Sequence, residues 1–354
     1  MNIDNTLDEK EPKYQRRTRY KGTHPKNFKE KYKELNPEKY ADDIAKIIQK
    51  GNTPAGMHIS ICVKEILDFL QITPGQTGLD ATLGYGGHTL EMLKCLDSKG
   101  RLYALDVDPI ELPRTKERLE RLGYGSEILE TKQMNFSQID QVTSEPNSFD
   151  FILADLGVSS MQIDNPERGF TFKSEGPLDL RLNPQVGISA ADLLREMTLF
   201  EIEDMLIENA DEPHAAVIAR AILSSIKKGI DITTTTQLRN IIKDALKYVP
   251  RIKEVDIKKS CQRTFQALRI NVNKEFDVLD EFLEKLPDVL AKGGRVAILT
   301  FHSGEDRRVK KSFQHFFREG VYSEIAKEPI RPSAQECRAN SRASCAKLRF
   351  AIKA

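Results

Sequence analysis

The sequence predicts an α/β fold in which an all-helical subdomain is inserted into a mostly parallel sheet. Short apolar strands alternate with helical segments from residue 77 to residue 155, as expected for right-handed βαβ units. The pattern then becomes helical almost throughout residues 189–290, and a clear strand returns at 294–301 after two glycines. A helical run of about 100 residues between two parts of one sheet is large enough to form a subdomain of its own.

The individual elements follow from apolar spacing. Strands are predicted at 77–82, 101–106, 127–132 and 149–155, with helices at 61–70, 87–96, 109–122 and 304–317. Within the insertion, helical spacing covers 199–210, 215–229, 235–249 and 265–286. The segments 324–329 and 346–352 are predicted to close the sheet as an antiparallel pair.

Composition restricts the class of protein. The chain has 39% hydrophobic and 30% charged residues, a composition typical of globular proteins. Its apolar runs are too short to span a bilayer. The first residues contain no apolar stretch typical of a secretory signal. The five cysteines include no C-x-x-C pair, which argues against a zinc site and a disulfide framework. We therefore expect a cytoplasmic protein without a metal or a membrane partner.

Positive charge is concentrated near both ends of the chain. Residues 13–33 carry nine Lys or Arg against Glu30, with aromatic residues interleaved, and a short amphipathic helix is predicted at 37–50. The stretch 331–354 is also basic. Such segments suit phosphate backbones and exposed bases, and a solvated tail is the alternative interpretation of the N-terminal arm.

A glycine-rich loop lies between the first predicted strand and its helix, in the sequence GLDATLGYGGHTL of residues 78–90. A P-loop would require Lys and Ser or Thr after the glycines, and a dinucleotide fingerprint would require a glycine where Thr89 stands. The spacing of Asp80 to Gly84 instead looks like the first motif of S-adenosylmethionine-dependent methyltransferases. Asp106, at the end of the second strand, is the preferred acceptor for ribose hydroxyls; Asp108 is the competing candidate, with capping of the next helix as its alternative role.

Longer stretches are more specific than this loop. They are HISICVKEIL at 58–67, TLGYGGHT at 82–89, DLGVSSMQIDNPERGFTFKSEGPLDLRLN at 155–183, RTFQALRINVN at 263–273 and FHSGEDRR at 301–308. Together they resemble the bacterial family of 16S ribosomal RNA cytosine-N4 methyltransferases, RsmH, also called MraW. The resemblance runs from about His58 to the C-terminus.

The resemblance implies a class I, Rossmann-like methyltransferase fold, with S-adenosylmethionine as the methyl donor. It implies 16S rRNA within the small ribosomal subunit as partner, with the N4 amine of a decoding-centre cytidine, at position 1402, as target. Donor contacts carry over to Gly86, Gly87, His88, Asp106, Phe136, Asp155 and Gln162. The implied division is a basic arm and helix at 1–56, the methyltransferase core at 57–163 and 276–354, and a helical substrate-recognition subdomain at 164–275.

Asp155 is the candidate catalytic residue. The cytosine amine is a poor nucleophile, and a carboxylate that accepts its N–H can orient it toward the donor methyl group. Orientation of the donor and capping of the following loop are the alternative roles. Many amino-methyltransferases place an aromatic residue where Val158 stands, so another ring must cover the base, and Phe170, Phe172 and Phe301 are the candidates. Methylation at carbon 5 would need a cysteine nucleophile, and the 155–183 loop contains none.

Candidate RNA contacts are basic residues near the predicted site. They are Arg168, Arg181, Arg263, Arg269, His302 and Arg307. Each has an alternative role as an ordinary surface residue, and His302 has a second one as a helix cap.

The chain departs from the usual family pattern at Ser60, at Gly304 and in the extension 1–56, which looks like that of longer, second-copy members. These departures leave two alternatives open. One is the same chemistry on another rRNA cytidine or an assembly intermediate, and the other is an RNA-binding assembly factor without catalysis.

Overall fold

The computed structural model describes residues 60–354, so the predicted arm and helix of 1–56 lie outside the described residues. The described part contains one seven-stranded sheet in the order β3-β2-β1-β4-β5-β7-β6. The strands are β1 Thr77–Asp80, β2 Arg101–Asp106, β3 Leu129–Gln133, β4 Phe149–Asp155, β5 Leu290–Thr300, β6 Tyr322–Ile325 and β7 Lys347–Lys353. Strands β1 to β5 pair in parallel, and β7 is antiparallel to both β5 and β6.

The helices lie on both sides of the sheet and in the long connection between β4 and β5. They are α1 Val63–Leu70, α2 Gly87–Leu96, α3 Glu111–Arg121, α4 Ser160–Asp164, α5 Ala190–Glu196, α6 Leu199–Ala210, α7 Ala215–Lys227, α8 Thr235–Leu246, α9 Glu254–Asn273, α10 Glu275–Val289, α11 Ser303–Arg318 and α12 Ala334–Ala339. No helix in the described range is both long and apolar enough to cross a membrane.

The sheet confirms the predicted α/β fold class. The strands predicted at 101–106 and 149–155 have those bounds, and the closing antiparallel pair is β6 with β7. β1 lies between β2 and β4, and its central residues are fully covered. Since the carboxyl ends of parallel strands meet at one edge, the segments that follow β1, β2, β4 and β5 converge there.

The helices between β4 and β5 have a hydrophobic core of their own. Leu194, Ile218, Leu238 and Leu268 are buried in it, each on a different helix. Their burial follows the apolar stripes in the sequence, because each amphipathic helix must cover its apolar face against another element.

One helix prediction was wrong. The continuous helical pattern at 265–286 is two helices, because Lys274 adopts a left-handed conformation with φ of 50° and separates α9 from α10. The packing partners change at this break. Phe265 packs in the helical core, whereas Phe282 and Leu286 pack with Phe149 and its neighbours against the sheet.

Much of the positive charge of the C-terminal stretch is engaged inside the protein. Lys347 and Arg349 bind the carboxylate of Asp306 at 2.7 and 2.6 Å, and Arg342 binds Asp164 at 2.9 Å. Burial by itself would raise the pKa of Asp306, but the two cations outweigh it and lower that pKa. Lys347 and Arg349 tie β7 to α11, and Arg342 ties the turn before β7 to α4. These three cations are therefore not free to neutralise phosphates as the sequence suggests.

Asp306→Ala should destabilise the fold strongly. Arg349 is only 4% exposed, so removal of the carboxylate leaves its charge buried and unpaired, at a cost of about 3–5 kcal/mol. Urea unfolding would measure the loss. The matched control is Glu117→Ala, which removes an acid from the exposed pair with Arg121 and should cost less than about 0.5 kcal/mol. Equal effects of the two substitutions would contradict this account.

Candidate functional site

The loop after β1 forms one wall of the site. Gly84 and Gly86 have φ of 49° and 72°, a conformation that glycine adopts without strain. A Cβ atom at Gly86 would lie 2.8 Å from the side chain of Thr115, so this turn packs closely on α3. The Thr115 hydroxyl donates a hydrogen bond to the Gly84 carbonyl at 2.7 Å. α2 begins at Gly87, directly after the turn, so its first N–H groups face the edge where the strands end.

Asp80 anchors this loop from below. One carboxylate oxygen accepts the Thr89 hydroxyl at 2.6 Å and the other accepts the Thr82 N–H at 3.0 Å. The side chain is 1% exposed, and burial raises its pKa. Asp80 therefore shapes the turn and does not face a ligand.

Asp106 ends β2 beside the glycine turn. Its Oδ2 accepts the Gly84 N–H at 2.8 Å and its Oδ1 accepts the Asp108 N–H at 2.9 Å. Burial raises its pKa to about 6 even though the two N–H groups oppose that shift. Each carboxylate oxygen retains a further lone pair, so the residue can still accept ribose hydroxyls.

Asp108 is fully buried and joins three segments. Its Oδ1 accepts the N–H groups of Ile110 and Glu111 at 2.9 and 3.3 Å, which is the capping role considered from the sequence. Its Oδ2 accepts the amide of Gln162 at 2.8 Å and the guanidinium of Arg168 at 2.7 Å. The segment after β2 is thereby fixed to the segment after β4.

This network corrects the sequence-based interpretation of Arg168 and limits the part that the Gln162 side chain can play. Arg168 was predicted to contact RNA, but it is 7% exposed and its guanidinium binds Asp108 and the carbonyls of Arg181 and Leu182. Gln162 lies beside Asp108, and its contact with the donor stays a prediction. Its side chain already binds Asp108 and the N–H of Ser159, so it holds the wall in place through both ends of its amide.

His88 and Asp155 face each other across the site. The Nε2 atom of His88 lies 3.4 Å from Oδ2 of Asp155, too poorly aligned for a hydrogen bond but close enough for strong electrostatic interaction. Burial opposes protonation of His88, but the carboxylates of Asp155, Asp80 and Glu336 outweigh it and raise the pKa of His88. The Asp155 backbone N–H donates to the Thr82 hydroxyl at 2.7 Å, so the ends of β1 and β4 are held together.

The other oxygen of Asp155 is the unusual feature of this site. Oδ1 is buried and, among residues 60–354, has no hydrogen-bond partner. A buried acceptor without a donor costs free energy, and such atoms are rare in folded proteins. The acceptor capacity of this oxygen is therefore unused by the described part of the chain.

Aromatic residues flank the site at two points. Phe136, at the first position of a 3₁₀ turn after β3, packs edge-on against Phe282 with ring centroids 5.1 Å apart and remains partly exposed. Among the three candidate stacking rings, Phe172 packs on Phe265 and Phe170 lies in the helical core. Phe301 is the ring beside the β4 loop, at 3.8 Å from the position of a Cβ atom at Gly157.

Most other predicted RNA contacts are engaged with carboxylates. Arg181 binds Asp179 at 2.7 Å, Arg269 binds Glu275 at 2.8 Å, and Arg263 lies 3.8 Å from Glu212. His302 accepts the Glu305 N–H and caps α11, as its alternative role required. Arg307 is exposed on α11, and none of the acids in the described range lies within ion-pair distance of it.

Two groups of side chains bring potential metal ligands within 4.8 Å of one another: Cys62 with Glu65 and Glu336, and Glu275 with His302 and Glu305. In the first, Glu336 already accepts the Cys62 N–H at 2.7 Å. In the second, Arg269 neutralises Glu275. In each cluster, therefore, one carboxylate already has a partner within the protein: a backbone N–H in the first and an arginine in the second.

Sequence reasoning missed the contributions of Thr82 and Arg118. The Arg118 guanidinium lies 3.6 Å from the centre of the Tyr85 ring and binds the Tyr85 carbonyl, which covers the outside of the glycine turn. Arg118 is two turns into α3, and its only sequence signal was a basic residue on an amphipathic helix.

Residues 55–354 match the MraW methylase family. The chain belongs to that family. A relative from Alkaliphilus metalliredigens, named ribosomal RNA small subunit methyltransferase H 2, is 73% identical over 98% of this chain and 100% of its own length. One from Acidobacterium capsulatum, named ribosomal RNA small subunit methyltransferase H, is 37% identical over 84% of this chain and 98% of its own.

The solved structures that this chain matches share little sequence with it. One is an S-adenosylmethionine-dependent O-methyltransferase from Thermotoga maritima. It is 12% identical, has a TM-score of 0.37 and covers 82% of this chain and 64% of its own. The family membership therefore rests on the sequence matches.

The MraW family assignment confirms the predicted enzyme class. The chain is a methyltransferase with a class I fold, and its methyl donor is S-adenosylmethionine. The residues present fit this donor, because the glycine turn is open at Gly84, where a Cβ atom would meet only the Thr82 carbonyl at 3.8 Å, and the Asp106 carboxylate lies beside that turn. The individual donor contacts at Gly86, Gly87, His88, Asp106, Phe136, Asp155 and Gln162 stay predictions.

Donor affinity should depend on pH through Asp106. On this assignment the ionised carboxylate would accept a ribose hydroxyl at each oxygen, whereas protonation turns one oxygen into a donor, so affinity should be full well above pH 6. Below pH 6 it should fall by up to about tenfold per pH unit. Calorimetric titration of S-adenosylmethionine from pH 5 to pH 8 would measure this. Asp106→Asn should bind weakly, with a flatter pH profile; an unchanged profile would contradict the assignment.

Arg168→Ala should act through the protein and not through RNA. The substitution leaves the Asp108 carboxylate buried without its cation, which should destabilise the fold by about 3–5 kcal/mol and weaken donor binding. Thermal unfolding and donor titration would both show the loss. Arg307→Ala is the control and should change neither. A variant at Arg168 with normal stability and donor affinity but weak RNA binding would restore the RNA-contact interpretation.

Proposed function

We propose that this methyltransferase transfers a methyl group from S-adenosylmethionine to the N4 amine of a cytidine in 16S ribosomal RNA. The proposed nucleotide is the decoding-centre cytidine at position 1402 within the small subunit. The names of its relatives support small-subunit ribosomal RNA as the substrate class. The single observation that carries the choice of atom is the buried, unpartnered Oδ1 of Asp155.

Asp155 has the geometry required of an amine acceptor. Oδ2 interacts with His88 and the backbone N–H binds Thr82, so the side chain is held while Oδ1 remains available. An N–H from the exocyclic amine would satisfy this oxygen and orient the nitrogen lone pair toward the methyl group. The nitrogen becomes positively charged as it takes up the methyl group, and it then loses a proton. In this proposal the Asp155 carboxylate accepts that proton. A protonated His88 beside it would balance the charge of the ionised carboxylate.

The alternative target atom is carbon 5 of cytosine, which requires a cysteine thiolate. The structure places one cysteine, Cys62, near the site, although none lies in the 155–183 loop. Its thiol is fully buried. Burial, with the charges of Glu336, Glu65 and Asp155, raises the pKa of Cys62 to about 12, so the thiol stays protonated at neutral pH. These properties favour attack by the exocyclic nitrogen.

The target base must leave its stack to reach Asp155. Phe301 is the ring best placed to cover the base. Its ring lies beside Gly157, and Gly157 belongs to the segment that follows Asp155. Gly157 has φ of 96°, and a Cβ atom at this position would already contact Phe301 at 3.8 Å, so the glycine keeps a side chain off the edge of this ring. We infer that Phe301 takes the stacking role that Val158 cannot fill.

Methyl transfer to small subunits that lack the modification tests this proposal. After digestion, chromatography with mass spectrometry separates N4-methylcytidine from its isomer 5-methylcytidine and locates the modified nucleotide. Asp155→Asn should lower the turnover rate by about 10²-fold or more, since the neutral amide no longer accepts the proton. Cys62→Ser should retain transfer.

Donor titration of Asp155→Asn separates its two possible roles. Normal donor affinity with slow transfer would place Asp155 on the base, and loss of donor binding would place it on the donor. Formation of 5-methylcytidine, or loss of activity in Cys62→Ser with normal stability, would overturn the choice of N4. N4-methylcytidine at another position would support the alternative substrate; donor binding without transfer to any RNA would support a non-catalytic assembly factor.

A further inference from the structure

The distribution of unpaired positive charge differs from the one the sequence suggested. Near the site, arginines 168, 181 and 269 are held by carboxylates. In the C-terminal stretch, arginines 342 and 349 are held in the same way. An arginine engaged in this way contributes little to the attraction of phosphates. The surface that meets RNA should therefore carry cations that no acid of the protein neutralises.

Such cations are concentrated where α8 ends and α9 begins. Arg251, Lys253, Lys258 and Lys259 are exposed there, and within residues 60–354 no acid lies within ion-pair distance of any of them. Tyr248 stands among them with 88% of its surface exposed. We call these five residues the basic tip.

Local structure explains why the basic tip is so exposed. α8 ends at Leu246, whose side chain is buried, and the chain then turns through Pro250 and through Arg251, which has a φ of 62°. The buried Leu246 and Ile257 anchor the turn on both sides. Val249 and Ile252 between these two anchors also pack against the helical core, whereas Tyr248, Arg251 and Lys253 are exposed. Lys258 and Lys259 follow directly after Ile257, so a tyrosine ring and several cations are presented together.

Acids near the tip do not cancel its charge. Glu254 lies 3.4 Å from Lys243 and Asp244 lies 2.6 Å from Lys247, so each of these acids already has its own cation. Asp256 in the first turn of α9 is the remaining acid of this segment. The four cations of the tip therefore exceed the unpaired acids by three.

The basic tip is distant from the methyl-transfer site, and α9 sets the separation. This helix has 20 residues and begins within the tip, so its other end is about 30 Å away. At that end Asn273 binds the backbone of Leu180 and Leu182, in the segment that contains the site wall. α9 thus forms a rigid connection between the tip and the site.

We propose that the basic tip is a second RNA-contact surface, which binds the phosphate backbone of small-subunit ribosomal RNA about 30 Å from the target cytidine. This inference rests on the proposed function. The cations neutralise phosphates, and the exposed ring of Tyr248 stacks on an unpaired base. A contact this far from the site selects the folded RNA of the subunit and not a short strand around the target base.

The test compares two matched pairs of cations. Lys258→Ala/Lys259→Ala removes two charges from the tip. The control, Lys116→Ala/Arg121→Ala, removes two exposed charges from α3, where each has an acidic partner. Affinity for small subunits is measured by filter binding over a range of salt concentrations. The tip variant should bind about tenfold or more weakly, and its salt slope should be shallower by about two. The control should match the wild type.

The ring is tested separately. Tyr248→Ala should weaken binding about tenfold, whereas Tyr248→Phe keeps the stacking face and should bind like the wild type. Donor affinity and the melting temperature should be unchanged in all these variants. Transfer to a short RNA containing only the target loop should also be unaffected, because that RNA does not reach the tip.

Each result decides the proposal. Tip variants that bind like the control variant overturn it. Weakened binding to assembled subunits with unchanged binding to protein-free 16S rRNA also overturns it, and points to an acidic ribosomal protein as the partner. A wild-type chain that binds subunits through the tip but transfers no methyl group defeats the proposed function and leaves this inference standing.

Discussion

The buried carboxylate of Asp108 is the interaction on which the site depends. It caps α3 with one oxygen and holds Gln162 and Arg168 with the other. Gln162 and Arg168 lie 54 and 60 residues after Asp108 in the chain, so this carboxylate connects two walls that are distant in sequence. A buried ion pair contributes less to net stability than its Coulomb energy suggests, because both groups lose hydration. Here it fixes the relative position of the two loops that follow β2 and β4.

The neighbouring carboxylates differ in how many of their hydrogen-bond acceptor positions the protein itself occupies. Asp80 is buried and both of its oxygens bind groups of the loop that follows β1, whereas Asp106 binds two backbone N–H groups and keeps a lone pair on each oxygen. Asp155 keeps one oxygen without a partner. The three acids at the ends of neighbouring strands thus differ in what they offer a ligand: Asp80 is buried under the turn, Asp106 keeps lone pairs beside the turn, and Asp155 keeps one oxygen without a partner. In the proposed function these differences correspond to loop formation, donor binding and chemistry.

Charge pairing also distinguishes basic side chains that stabilise the protein from those that are free to bind a partner at the surface. Arginine is suited to buried pairs because its planar guanidinium satisfies several acceptors at once, as Arg168 does with Asp108 and two carbonyls. The exposed cations of the basic tip, three lysines among the four, lie where the backbone turns away from the core. A count of basic residues along the sequence weighs these two populations equally, although only the second can attract a polyanion at the surface.

The sequence by itself determined the fold class. Apolar periodicity located β2 and β4 to the residue, and the glycine turn located the start of the helix at Gly87, because both depend on local spacing. Tertiary structure decided how each polar side chain is used. Nothing near Arg168 in sequence reveals that Asp108 lies against it, and nothing near Cys62 shows that it lies close to Asp155. The break at Lys274 was equally hidden, because apolar spacing continues through it. Long-range contacts set burial and pairing, and these determine whether a charged side chain supports the protein or remains available to a ligand.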